Sequence, residues 1–233
     1  MKNWFRREAL LSPDLFSEGV KIRWRIVALL GLIQGLYFPI NQLHDGGMTL
    51  DLDFLDGAMP RASYFVIIYQ LGLGYLSLST IIAGLLLPRD LFQKYVIAFL
   101  FVMLTGFSIW IIFPAYVEKQ TFTPHGFFDN LLHSLHDSDD SFGTHNAFPS
   151  SHIYYVMIGL YFLAQRFKRY WFWFALVAFL NAMSTMFTHQ HYFLDVVAGF
   201  ALTWIGLWVT LRFLAPAVRR YETRHGIPTS TST

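Results

Sequence analysis

His191-Tyr-Phe-Leu-Asp195-Val-Val-Ala-Gly-Phe-Ala-Leu-Thr-Trp-Ile-Gly-Leu-Trp-Val-Thr-Leu211 joins a polar pair to a long apolar run. From Leu194 to Leu211 the run is almost wholly apolar, long enough with its flanks to cross a bilayer. Yet a carboxylate stands at its start. An ionised Asp at mid-membrane costs about 2.5–3.5 kcal/mol on insertion scales, and less near the interface, so Asp195 needs a partner. His191 precedes it by one helical turn and shares its helix face. A carboxylate that holds one imidazole nitrogen leaves the other free for chemistry. The positive end of a helix dipole also favours Asp, so the pair alone does not separate a site from a polar helix start.

The rest of the chain gives the pair its setting. Its 233 residues are 55% hydrophobic, 18% aromatic and only 14% charged, too apolar for an ordinary soluble domain. The apolar residues fall in long blocks, the pattern of an all-α polytopic membrane protein. With no cysteine, disulfides, thiolate metal sites and a Cys nucleophile are excluded. No nucleic-acid partner is implied; the partners expected are the lipid bilayer and its lipids.

Residues 1–25 mix Lys2, Arg6, Arg7, Lys21, Arg23 and Arg25 with Trp4, Phe5, Leu10, Leu11, Leu15 and Phe16. They read either as a basic amphipathic segment on the membrane surface, starting a helix near Ser12-Pro13-Asp14, or as a loosely ordered basic tail, without a cleavable signal pattern. Six spans follow, at about 24–40, 63–87, 91–113, 149–165, 170–187 and 194–211, and together they form one membrane domain over 26–212. The first contains Gly31-Leu-Ile-Gln-Gly35, a small-residue face suited to close helix packing. Residues 41–62 read as a solvated acidic loop carrying Asp45, Asp51, Asp53 and Asp56, and 115–148 as a long polar loop rich in His and Asp. Residues 213–233 read as a cytoplasmic tail, basic and then Ser/Thr-rich, expected to be disordered.

Charge sets the sidedness. With both termini cytoplasmic, 15 of the 17 basic residues face inward, leaving only Arg61 and Lys119 outside. That distribution obeys the positive-inside rule. Every His except His225 then lies at or near the outer face, the periplasmic or extracellular side of what is expected to be a bacterial inner membrane.

Three features converge there. Asn146-Ala-Phe-Pro-Ser-Ser-His152 reads as a helix start whose free N–H groups and dipole suit a phosphate. Ser184-Thr-Met-Phe-Thr-His-Gln-His191 leads into the His–Asp pair, with Asn181, Ser184 and Thr185 making the end of the fifth span polar. Lys119, just past the third span, suits a phosphate oxygen as a point charge.

Pro-Ser-x-His at 149–152 followed by Ser-x6-His-x3-Asp at 184–195 resembles the second and third motifs of the type 2 phosphatidic acid phosphatase superfamily. The resemblance covers roughly residues 25–212. It implies an all-helical enzyme whose membrane members have six spans and an outer-face site. It further implies that His191 is a nucleophile forming a phosphohistidine and that Asp195 fixes its tautomer. His152 would act as the acid and base, while Ser150, Ser151 and Ser184 bind phosphate oxygens with Lys119. His189, Thr185 and Asn146 would line the entrance. No cofactor and no metal is required; His125, His133, His136 and His145 show no diagnostic zinc spacing.

The departures from that pattern point to a branch. The Lys-x6-Arg-Pro first motif of the phosphatases is missing, with Lys119-Gln120 standing where Arg-Pro would be. Thr185 replaces the Arg that follows the motif-three Ser, and Ser151 replaces a Gly. Asn-Ala-Phe-Pro-Ser-x-His with Thr-His-Gln-His-Tyr-x-x-Asp is more similar to the inositol phosphorylceramide synthase branch and its bacterial relatives. Those enzymes move a phosphoalcohol head group from a phospholipid donor to a lipid or alcohol acceptor. Fewer fixed cations suit a phosphodiester, which carries one negative charge fewer than a monoester dianion. Beside an outer-face zinc hydrolase, which chelator sensitivity would expose, two other readings stay open. One is a phosphatase of phosphatidic acid or isoprenyl (pyro)phosphates. The other is a transporter with His191–Asp195 as a proton relay, which predicts buried polar groups through the full membrane depth.

Overall fold

The computed structural model describes residues 20–119, 121–143 and 145–225. Most of the basic amphipathic segment, Gln120 and the Ser/Thr-rich end from 226 lie outside these residues. Among the described residues the chain is all-α, with only isolated β bridges between loops. The helices are α1 (Val20–Gln34), α2 (Tyr37–Asn41), α3 (Asp53–Asp56), α4 (Val66–Leu86) and α5 (Arg89–Ile112). They continue with α6 (Gly126–Phe142), α7 (Ser151–Arg166), α8 (Trp171–Phe187), α9 (Phe193–Val209) and α10 (Ala215–Arg224).

Four helical stretches are long and apolar enough to cross a membrane: Ser63–Leu86, Arg89–Ile112, Lys168–Phe187 and Phe193–Arg224. The protein is an integral membrane protein. Two of the six expected spans fall on shorter helices, α1 with 15 residues and α7 with 16. Sixteen residues rise about 24 Å, somewhat less than a bilayer core of about 30 Å. α7 is the central helix, packed against α4, α5, α8 and α9. From Ser151 to Leu163 its side chains are buried, except for the half-buried Met157 and Tyr161.

Aromatic rings fill the centre. Phe99 stacks on Tyr155 at 4.9 Å, and Tyr95 meets Phe162 edge-on at 6.1 Å. Each such pair contributes about 0.5–1.5 kcal/mol beyond its buried area. In a bilayer helices associate by close packing, and glycines set how close they come. A Cβ at Gly199 would lie 2.7 Å from Ile153 Cβ and 2.9 Å from Ser150 O, so α9 crosses the start of α7 at backbone distance. Gly84 gives the same closeness to Val27 of α1. The Gly31–Gly35 face does not: a Cβ at Gly31 meets nothing within 4 Å. The tight contacts are made by glycines on later helices.

The remaining differences from the sequence reading have local causes. The long loop contains α6, whose Leu132 and Leu135 pack on Val66 and Tyr69 of α4. The last helix does not stop at Arg212. It passes through a π turn at Thr210–Leu214 and continues as α10, with Arg219 donating to Asp90 and Gln93 Nε2 donating to Glu222 Oε1 at 3.0 Å. At the same end of the bundle Arg23, buried, donates to Gly84 O at 2.9 Å and Leu87 O at 2.8 Å. A cation there complements the negative end of the α4 dipole.

Candidate active site

The turn between α8 and α9 is built from backbone bonds. Thr185 O accepts both Gln190 N–H at 2.9 Å and His191 N–H at 3.1 Å. His189, at φ 54°, sits in the left-handed region, which lets the chain reverse within the turn. α9 then opens on Tyr192, and Asp195 Oδ2 accepts the Tyr192 N–H at 2.9 Å. The same oxygen stands 3.4 Å from His191 Nδ1. Asp195 therefore serves as helix cap and as imidazole partner at once. It is fully buried and His191 nearly so, which leaves His191 Nε2 as the nitrogen turned away from the carboxylate.

The start of α7 is brought to this turn by Ser150 N–H, which donates to Asp195 O at 3.1 Å. Trp110 Nε1 donates to Pro149 O at 3.3 Å and braces the approach. The N-termini of α7 and α9 thus converge, and the positive ends of both dipoles point into one region. Ser150 Oγ is buried and has no partner among the described residues; nor do His152 Nδ1, Asp195 Oδ1 or Gln190 Nε2. Orphaned buried polar atoms cost free energy, so atoms of this kind are available to bind water or a polar ligand.

His152 enters from the first turn of α7. Its ring centroid lies 5.5 Å from that of His191, inclined at 62°. Its Nε2 is 2.9 Å from Tyr69 Oη, its ring lies 4.7 Å from the Tyr69 ring, and its carbonyl accepts from Asn181 Nδ2 at 3.0 Å. Two imidazoles at this separation, one backed by a carboxylate and one by a phenol, can flank a phosphorus atom with attack from one side and proton transfer on the other.

The other expected residues are placed differently. Ser184 and Thr185 are fully buried, and their hydroxyls donate back to Asn181 O at 2.7 Å and Ala182 O at 2.8 Å. Ser151 is buried in the first turn of α7, beside the orphaned Ser150. Asn146 pairs its backbone with Ala115, joining the approach to α7 with the chain leaving α5. Lys119 is turned toward α6, with Nζ 3.2 Å from Asp139 Oδ2 and 3.4 Å from His136 O. His189 bonds the Met59 backbone. Burial holds its imidazole below the ordinary value, against the opposing pull of that bond. The loop histidines disperse: His133 pairs with Asp137 at 3.0 Å, His145 lies beside Tyr116, and His136 Nε2 donates to Thr188 O at 2.9 Å.

Three residues around the site escape a motif-based reading. Tyr69 sits mid-pattern on an apolar helix. His136 looks like one of several loop histidines. Asp56 belongs to the acidic loop, yet its Oδ1 accepts the Phe193 N–H at 2.8 Å and its Oδ2 the Leu52 N–H at 2.7 Å. Only Asp56 carried a signal, a carboxylate suited to a helix start, but its helix lies far along the chain.

Neither a curated protein nor a solved structure matches the chain. A family model described as the PAP2 superfamily matches residues 47–209, which takes in α3 to α9 and every residue of the His191–Asp195–His152 cluster. Spanning well over half of its length, that match places the chain in the PAP2 superfamily, to which it belongs as a membrane phosphatase or phosphotransferase.

Proposed function

We propose that the protein is a lipid phosphotransferase that moves a phosphoalcohol head group between lipids through a phosphohistidine, as in inositol phosphorylceramide synthases. The donor is a phosphodiester lipid, and the acceptor a lipid or alcohol hydroxyl. His191 Nε2 attacks phosphorus while the bond to the diacylglycerol oxygen breaks. That oxygen takes a proton from His152. Asp195, on Nδ1, stabilises the imidazolium-like nucleophile once it carries the phosphoryl group. In the second half the acceptor hydroxyl gives its proton to His152 and attacks phosphorus, and the Nε2–P bond breaks. Ser150, Ser151 and the N–H groups opening α7 hold the non-bridging oxygens, and Ser184 joins them only by giving up its bond to Asn181 O. Lys119 joins them only by exchanging its Asp139 partner.

The observation that carries this reading is the charge available at the site. Thr185 stands where the phosphatases have a cation, and its hydroxyl is spent on Ala182 O. The two basic residues expected on this side are engaged: Lys119 with Asp139, and Arg61 over the Phe122 ring at 3.8 Å. Hydroxyls and N–H groups suffice for a diester monoanion; a monoester dianion would be poorly compensated in a low-dielectric site. We propose six crossings with both termini cytoplasmic, which puts the site on the periplasmic face of a bacterial inner membrane.

The test is incubation of the purified protein with phosphatidylinositol or phosphatidylglycerol, with and without ceramide or diacylglycerol, and mass spectrometry of all products. Head-group transfer that depends on the acceptor is expected. Release of inorganic phosphate from phosphatidic acid, with no transfer from either diester, would refute it and leave a lipid phosphatase.

A further inference from the structure

We infer that Tyr69 is a positioning residue for His152, holding Nε2–H so that Nδ1 alone gains and loses the proton; this rests on the acid–base role proposed for His152. The geometry leaves His152 two different nitrogens. Nε2 lies 2.9 Å from Tyr69 Oη, and Nδ1 is buried without a partner among the described residues. A neutral imidazole carries one N–H and one lone pair, and the bond made by one nitrogen sets the state of the other. With Nε2–H on the phenol oxygen, Nδ1 keeps the lone pair that an acceptor hydroxyl needs. When His152 is protonated to serve as acid, Nε2–H stays on the same oxygen and Nδ1–H becomes the donor. Neither half-reaction then requires the ring to flip.

The surroundings hold the phenol still. Tyr69 is nearly buried, its ring lies 4.7 Å from the His152 ring at 33°, and Leu132 and Leu135 of α6 close behind it. On the far side Asn181 Nδ2 holds the His152 carbonyl at 3.0 Å. α6 therefore supplies the wall behind Tyr69 and, through His136, a bond to the turn that carries His191.

The test uses the full chain in detergent micelles, ¹⁵N-labelled at histidine, with His152 assigned from a His152→Gln spectrum. Turnover is measured on phosphatidylinositol or phosphatidic acid, whichever the wild type uses. The expected wild-type spectrum shows His152 protonated at Nε2. Tyr69→Phe keeps the ring and removes the hydroxyl. It should give mixed tautomers and lower kcat roughly ten- to hundredfold, the worth of one hydrogen bond to a charging group, with KM within about twofold. A wild-type proton on Nδ1, an unchanged kcat in Tyr69→Phe, or a lower kcat with an unaltered tautomer would each overturn the inference. Should Tyr69→Phe not fold, the wild-type spectrum decides. Full activity in His152→Ala would instead sink the proposed reaction, an outcome read separately from the tautomer.

Discussion

Asp56 Oδ1 accepts the Phe193 backbone N–H at 2.8 Å, so a carboxylate at the end of the short α3 caps the helix that begins beside His191. Its other oxygen holds Leu52 N–H at 2.7 Å, which ties the loop to the same point. Losing a cap of this kind costs about 0.5–2 kcal/mol. Asp56→Ala should lower the melting temperature and slow turnover, whereas Asp56→Asn, which keeps one acceptor oxygen, should recover part of both. Thermal unfolding and initial rates of the two variants check this. Equal behaviour of both variants and wild type would mean the bond does not matter.

His191→Ala should abolish turnover, and His152→Ala should reduce it roughly 10²–10⁴-fold, the usual worth of an acid–base group. Acid-labile, alkali-stable label is diagnostic of a phosphohistidine, so substrate-derived phosphorus should stay on wild-type protein under alkaline quench, leave it in acid, and be missing from His191→Ala. Label persisting in His191→Ala would move the nucleophile elsewhere.

The diester preference is read from kcat/KM for phosphatidic acid against that for phosphatidylinositol or phosphatidylglycerol. The diester should win in wild type, and Thr185→Arg should shift the ratio toward the monoester. Thr185 is fully buried, so the variant is compared at matched folded fraction.

His189 gives a pH dependence of stability. Burial lowers its affinity for a proton in the folded state, with Arg61 adding to the effect and the Met59 bond and Asp56 opposing it. The unfolded chain therefore binds the proton first, near pH 6.5. Stability is fully present above that value and is lost as pH falls below it. His189→Asn, which tolerates the same left-handed backbone, should show a smaller fall in melting temperature between pH 7.5 and 5.5. An equal fall in both proteins would assign the effect to another group.

Reporter fusions after Gln120 and Gln190 should read as outside, and fusions after Arg89 and Lys168 as inside. A cytoplasmic reading after Gln120 would put the chain beyond α5 on the wrong side for the proposed site.

The apolar blocks made the helices legible, because spans must satisfy their own backbone and so appear as unbroken runs. The placement of His191, Asp195, His152 and Ser150 at two helix starts is legible because the spacing within each motif is local. The His and Asp around α6 make 115–148 read as a loop, although Phe127, Phe128, Leu131, Leu132 and Leu135 recur at helical spacing. Tyr69, Asp56 and His136 act across the fold, and no periodicity in one chain segment announces a partner in another. The glycines show the same limit: Gly31–Gly35 had the pattern but no neighbour, while Gly199 had the neighbour.

Asp195 binds the two motifs with two different parts of itself. Its carboxylate faces His191, and its main-chain carbonyl receives Ser150 N–H at 3.1 Å, with Gly199 keeping the helices close one turn later. The height of one helix start above the other is thus gauged by a single residue. Replacing the carboxylate should remove the proposed chemistry and the Tyr192 cap but keep that gauge, since every amino acid brings the same main-chain carbonyl. A side-chain change at Gly199 does the reverse: it spares every reactive atom and spoils their alignment. Inactive variants at these two positions should therefore look alike in an assay and unlike in a structure.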